Sequence, residues 1–273
     1  MKIDYEFVKN RPLSYSSLKS FRKSPLHYIE YLTKPFKPSP QMVLGSLIDI
    51  MVLTPEKFDD TYIVVCDIDK RTKAGKEEYS RLLLDAQESN KTIVSEDMHE
   101  TAKKCVQSLY SHKGAKEMLE NKKRTQIKLQ WKNTETNLPL IGYADFETLF
   151  NGEYTIGELK TSSDANPISF MRNALSFEYW LQAAMYLDFY HKVKYRFPQF
   201  IWMVVETSAP FAVSVIKFTE EDIKWAKEEF YKTMQAFKYC MDNEQFNKGY
   251  EFTLLDLPYS TEMLPKYKRN IYS

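Results

Sequence analysis

The segment Gln126-Ile127-Lys128-Leu129-Gln130-Trp131 alternates polar and apolar side chains, the period-two pattern of a strand with one buried face. It divides the chain. Before it the pattern is mainly helical. Residues 14–32 read as helix broken near Ser24-Pro25, because proline disfavours helix in the residue it follows. Residues 40–53 form a second, apolar helix ended by Thr54-Pro55. Tyr62-Ile63-Val64-Val65 is a short strand, and Ala74–Ser89 and Ser95–Ser111 are further helices, the second with Ser95 as N-cap.

Beyond residue 125 strands take over. Leu138–Leu149 reads as a strand that a turn at Asn151-Gly152 folds back onto Tyr154–Lys160 as a hairpin. Pro167–Tyr190 reads as one long helix, apolar on more than one face and therefore well buried. Strands at 199–206 and 211–217, turned at Ser208-Ala209-Pro210, and a helix capped by Thr219 and running to Asp242 complete the series. The pattern predicts one α/β domain over residues 1–273: a mainly helical part (1–120), a core (121–245) and a tail (246–273).

With 273 residues, 43% of them hydrophobic and 15% aromatic, the chain can bury a full core. No apolar run reaches bilayer length and Met1–Glu6 lacks the apolar stretch of a signal peptide, so a cytoplasmic location and no membrane partner are expected. A net charge of +1 excludes a generally basic nucleic-acid binder; any contact with phosphates must come from local clusters such as Lys70-Arg71-Thr72-Lys73-Ala74-Gly75-Lys76. There, Gly75 and the following helix N-terminus offer backbone amides to a phosphate. Lys122-Lys123-Arg124 and Lys266-Tyr267-Lys268-Arg269 read as solvated surface. Cys66, Cys105 and Cys240 form no C-x-x-C pair, which leaves no zinc, disulfide or four-cysteine iron–sulfur framework; all three are expected as buried or half-buried reduced thiols.

The chemistry concentrates in the hairpin. On a strand Glu158 and Lys160 share a face, and the hairpin brings Asp145 beside Glu158. Two adjacent carboxylates repel, and a lysine alone does not offset their desolvation; a hard divalent cation does. Magnesium takes oxygen ligands of this number and type, and manganese can substitute. Lys160 is then placed to orient or deprotonate an attacking water and to offset developing charge, which describes phosphodiester hydrolysis. Gln182 and Tyr186, four apart on the long helix, share a face that leans toward this point.

The segments Gly142-Tyr143-Ala144-Asp145, Gly157-Glu158-Leu159-Lys160-Thr161-Ser162 and Gln182-Ala183-Ala184-Met185-Tyr186 resemble the core motifs of the PD-(D/E)XK nuclease superfamily, in its RecB-like branch. The likeness lengthens toward RecE-type C-terminal exonuclease domains. Ser14–Tyr31 is similar to their opening helical segment, and Gly45–Asp49 with Val52–Phe58 is similar to their second motif. Arg71–Glu78 is similar to their basic loop.

The resemblance implies a restriction-endonuclease-like core, a central mixed β-sheet flanked by helices with an N-terminal helical elaboration. It implies a magnesium-dependent 5′ to 3′ exonuclease on double-stranded DNA ends, leaving 3′ single strands for recombination by strand annealing. It assigns Asp145 and Glu158 as metal ligands, Lys160 as catalytic lysine, Gln182 and Tyr186 as helix-borne support, and Arg71, Lys73 and Lys76 to DNA. A ring-shaped homo-oligomer and a RecT-like single-strand annealing partner follow from the same likeness. Two positions depart from the pattern. Asp49 stands where a histidine ligand is expected and is read as a third, oxygen ligand; Gln126 stands where the superfamily often has an acidic residue. An endonuclease of the same superfamily, or a non-catalytic DNA-end-binding protein with a degenerate site, are the alternatives.

Overall fold

The computed structural model describes residues 3–250 apart from Asp67, Asp69 and Lys70. The basic run Lys266–Arg269 and most of the C-terminal tail lie outside the described residues.

The N-terminal part carries α1 (Tyr5–Asn10), α2 (Tyr15–Lys23), α3 (Pro25–Thr33) and α4 (Pro40–Leu53). Ser14 and Ser17 close a capping box at the start of α2, and Ser24 caps α3 with Pro25 in its first turn, so the break expected there is a pair of capped helices. A short 3-10 turn (Pro55–Lys57) and α5 (Phe58–Thr61) lead into β1 (Tyr62–Val65), α6 (Lys73–Glu88), β2 (Thr92–Ser95), α7 (Glu96–Ser111) and α8 (Lys113–Glu120). The small parallel pair of β1 with β2 was not legible as a sheet, because β2 is four residues long and its partner lies thirty residues away.

The main sheet has β3 (Arg124–Lys132), β4 (Pro139–Phe150), β5 (Glu153–Ser162), β6 (Gln199–Glu206) and β7 (Val213–Lys217), in that spatial order. It is mixed: β5 pairs parallel to β6 and every other neighbour is antiparallel. The parallel step needs a crossover, supplied by α9 (Pro167–Ser176) and α10 (Tyr179–Lys192); α11 (Glu220–Asp242) follows β7. Helices cover both faces. On one, Ile156, Phe200 and Trp202 pack with residues of α2, α3, α10 and α11; on the other, Leu159, Ile201 and Met203 pack with α4, α7 and α8. This accounts for the unbroken apolar run of β6, since a strand buried on both faces has no solvent side to mark with polar residues.

Three expectations are corrected. The single helix over Pro167–Tyr190 is two helices, interrupted at Phe177–Glu178, because Glu178 takes a left-handed backbone (φ 58°) that an α-helix does not continue through. Cys66 is exposed, while Cys105 and Cys240 are buried; all three are free thiols. Lys122 is not simply solvated, since its Nζ donates to the Val52 carbonyl at 2.7 Å and ties the end of α4 to the sheet. No described helix is long and apolar enough to cross a membrane.

Candidate active site

The β4–β5 hairpin turns through Asn151 and Gly152, both with positive φ, and pairs from Phe150 with Glu153 up to Phe146 with Gly157. The register sets Asp145 opposite Glu158, one step beyond the last pair. There the ladder stops, and Asp145 Oδ2 accepts the Leu159 N–H at 2.8 Å. A side-chain carboxylate has replaced a strand carbonyl.

The backbone of β4 is offset at the same point. Ala144 packs into one core and Phe146 into the other, although residues two apart on an uninterrupted strand share a face. The neighbouring strand is irregular opposite: Gln126 has φ 50°, and the β3–β4 pairs skip Gln126 and Asp145. Gln126 is exposed and makes no hydrogen bond to Asp145 or Glu158. Its departure from the family pattern has no counterpart in the buried site.

Glu158 and Lys160 emerge together, as alternation requires. Glu158 is 3% exposed, and its Oε1 accepts from Lys160 Nζ at 2.9 Å and from Gln182 Nε2 in a short hydrogen bond. Gln182 Nε2 also donates to the Tyr186 hydroxyl at 3.3 Å. That hydroxyl donates to the Tyr143 carbonyl at 2.9 Å and accepts the Tyr143 N–H at 3.3 Å. The helix pair predicted from spacing therefore reaches the site, with different tasks: Gln182 holds the Glu158 carboxylate, and Tyr186 holds Gln182 and the β4 backbone two residues before Asp145.

Two glycines make room. A Cβ on Gly142 would stand 2.5 Å from Tyr186 Cε1, and one on Gly157 would overlap the Phe146 ring. On the opposite face α4 packs close to β5, where a Cβ added to Gly45 would meet Thr161 Oγ1 at an ordinary contact distance of 3.4 Å. This approach brings Asp49 within electrostatic reach of Lys160, Glu158 and Asp145.

Charge follows from burial. Desolvation first, then the Glu158 and Asp49 carboxylates, push the Asp145 acid well above its ordinary value, against Lys160 and the Leu159 hydrogen bond. Asp49 is raised to about 7, by burial and Glu158 against Lys160. Burial works against the Lys160 ammonium, yet Glu158, Asp145 and Tyr179 outweigh it and raise the lysine above its ordinary value. In this metal-free arrangement the carboxylates thus favour the charged form of Lys160.

The donors fit a hard divalent cation in kind. Asp145, Glu158 and Asp49 offer oxygen only, and Glu158 Oε2 and Gln182 Oε1 are buried with no hydrogen-bond partner. Among the described residues no three acidic, histidine or cysteine side chains form a ready metal cluster, and Lys160 occupies the other Glu158 oxygen. Asp145 and Glu158 are the pair brought together; Asp49 adds its field to them without completing a three-ligand set.

Arg71, Lys73 and Lys76 are exposed at the start of α6, and no hydrogen bond or ion pair joins Lys73 or Lys76 to Asp145, Glu158 or Lys160. The Gly75 amide expected to face a phosphate is buried and donates to Thr72 Oγ1 at 3.0 Å, which corrects that reading. A cleft of about 470 Å³ lies elsewhere, lined by His191, Phe197, Lys217 and Lys227 among others, and contains none of Asp49, Asp145, Glu158, Lys160, Gln182 and Tyr186. Sequence reasoning missed Tyr179, whose ring centroid lies 4.9 Å from Lys160 Nζ, and Tyr15, whose phenol interacts with the same lysine. Both come from helices whose docking no local pattern announces.

The chain belongs to the family described as a PDDEXK-like domain of unknown function (DUF3799), whose model matches residues 14–251. The fold is similar to that of a crystal structure from Eubacterium rectale described as a "putative exonuclease", at 12% identity, covering 88% of each chain with a TM-score of 0.55. The solved structure of SSO0001 aligns at 14% identity over 71% of this chain and 87% of its own, with a TM-score of 0.28 that supports no comparison of folds. No curated protein matches the chain.

Proposed function

We propose that this protein is a metal-dependent DNA nuclease, acting as a single catalytic unit. The observation that carries the reading is the gap between β4 and β5, where Asp145 replaces a ladder carbonyl and faces the Glu158–Lys160 pair. A strand pair gives up backbone hydrogen bonds there and sets the half-buried Asp145 carboxylate against the buried Glu158, an arrangement that costs stability and is characteristic of a functional site.

Asp145 and Glu158 would hold the divalent cation, magnesium or manganese, with Asp49 contributing from α4. When bound, the cation supplies Lewis-acid stabilisation of the phosphate's developing negative charge. Lys160, held cationic, adds a second positive charge beside the same phosphate and orients the attacking water by donating to it. Gln182 keeps the Glu158 carboxylate aimed, and Tyr186 fixes the β4 segment carrying Asp145. Arg71, Lys73 and Lys76 form a local cation cluster of the kind that meets a DNA backbone in a chain of near-zero net charge.

Within that reading, the motif resemblance and the exonuclease-described fold relative support an exonuclease acting from double-stranded ends. The RecE-like motifs support 5′ to 3′ polarity, a 3′ single-stranded product, a ring-shaped homo-oligomer and a strand-annealing partner. Digestion of 5′- and 3′-labelled linear duplex beside covalently closed duplex, in magnesium and in calcium, tests it. Release of 5′-terminal nucleotides from linear DNA only, in magnesium only, is expected. Cutting of closed DNA would make it an endonuclease, and binding of ends without cleavage in magnesium or manganese would make it an end-binding protein.

A further inference from the structure

The bend between α9 and α10 carries contacts that hydrolysis does not use. Phe177 is 47% exposed there, and Glu178 sits in the left-handed region, uncommon for a residue with a side chain. The bend is held from outside. Arg22 Nε pairs with Glu178 Oε1 at 2.9 Å while the guanidinium lies 4.6 Å from the Trp180 ring centroid, and the Tyr15 hydroxyl donates to the Phe177 carbonyl at 2.5 Å.

One exposed aromatic ring is ordinary. What distinguishes this one is its neighbours. Lys19 Nζ lies 5.0 Å from the Phe177 ring centroid; the Phe177 and Tyr179 rings are 5.7 Å apart at 33°; and Lys160 Nζ lies 4.9 Å from the Tyr179 centroid. A cation, two rings and a second cation thus run from the surface to the lysine of the candidate site. Among the described residues Lys19 makes no ion pair or hydrogen bond; the Glu178 carboxylate acts on its half-buried ammonium only at longer range and is itself paired with Arg22.

A polynucleotide strand alternates flat bases with phosphates, and proteins take up such strands by stacking bases on aromatic rings while lysines meet the backbone. Paired bases inside a duplex cannot stack this way. We infer that Phe177 and Lys19 form a subsite for an unpaired nucleotide next to the phosphate that is hydrolysed, with the base against Phe177 and a phosphate at Lys19. The strand therefore reaches Lys160 already separated from its complement. This inference rests on the nuclease reading.

The test compares the parent, Phe177→Ala, Phe177→Trp and Lys19→Ala on two linear duplexes, one with ordinary ends and one with the two terminal nucleotides of each strand abasic. Phe177→Ala should raise KM roughly ten-fold on the ordinary duplex, the scale of one lost base–aromatic stack, and leave the abasic duplex unchanged. Phe177→Trp should keep the parent value, and Lys19→Ala should weaken both substrates and flatten the salt dependence by about one phosphate. An equal effect of Phe177→Ala on both duplexes, or none on either, overturns the inference while leaving the nuclease reading intact. If the parent cleaves nothing in magnesium or manganese, the nuclease reading fails. Binding of a fluorescent single-stranded oligonucleotide without metal then decides the subsite, an unchanged affinity in Phe177→Ala overturning it.

Discussion

Tyr186 occupies the space that a side chain on residue 142 would fill: a Cβ at Gly142 would lie 2.5 Å from its Cε1. The helix can hold the strand only because that residue is glycine. Gly142→Ala should therefore force the ring away and break its hydroxyl bonds to both backbone groups of Tyr143, lowering stability by about 1–3 kcal/mol as overpacking does. In a Tyr186→Ala background the same substitution should cost almost nothing more. Denaturant unfolding of the four proteins measures this coupling.

Asp145→Asn and Glu158→Gln should each abolish cleavage and leave the metal-free fold intact. Desolvation and the neighbouring carboxylates disfavour the Asp145 charge, so its removal should leave the unfolding midpoint unchanged or raised. Turnover of linear duplex at the parent rate by either variant would refute the metal-ligand assignment.

Metal-free stability should fall with rising pH across the range where Asp49 titrates. Its folded value is about 7, raised from 3.8 by burial, so the folded state holds a proton that the unfolded chain releases. That contribution is complete below 3.8 and lost as pH rises through about 7. Asp49→Asn should reduce the slope without abolishing it, because Asp145 is raised as well. Thermal unfolding between pH 4 and 8 in chelator checks the sign. Added magnesium should restore stability at neutral pH, and overlapping magnesium titrations of activity for the parent and Asp49→Asn would separate Asp49 from the metal.

Lys160→Ala should lower kcat roughly 10²- to 10³-fold, the scale of one lost charge-stabilising donor. Burial opposes the ammonium charge and the neighbouring carboxylates favour it, so the metal-free protein should show no Lys160 titration near neutrality. Arginine should rescue poorly, since its planar fork does not reproduce a compact ammonium at Glu158 Oε1. A variant with arginine at full activity would argue against a specific role.

Replacing Arg71, Lys73 and Lys76 by alanine should weaken DNA binding by similar factors on any sequence. Each substitution should reduce the slope of log affinity against log salt by about one. An unchanged slope would place α6 away from the DNA path.

The hairpin, its two-residue turn and the shared face of Glu158 and Lys160 were legible in the sequence, because strand alternation and turn chemistry are local. So was the common face of Gln182 and Tyr186, although not what each would hold. The break at Glu178 was not legible. The surrounding residues carry an unbroken helical pattern, and the bend depends on Arg22, whose partners lie 156 and more residues away.

The sequence by itself determined which side chains could do chemistry and how they lie along their own strands and helices. Only the tertiary structure decided what they do together. The slip of β4 at Asp145, the approach of α4 that adds Asp49's field, and the carboxylates that keep Lys160 charged are set by packing between distant segments. Electrostatic energies vary with distance and burial, which local periodicity does not encode.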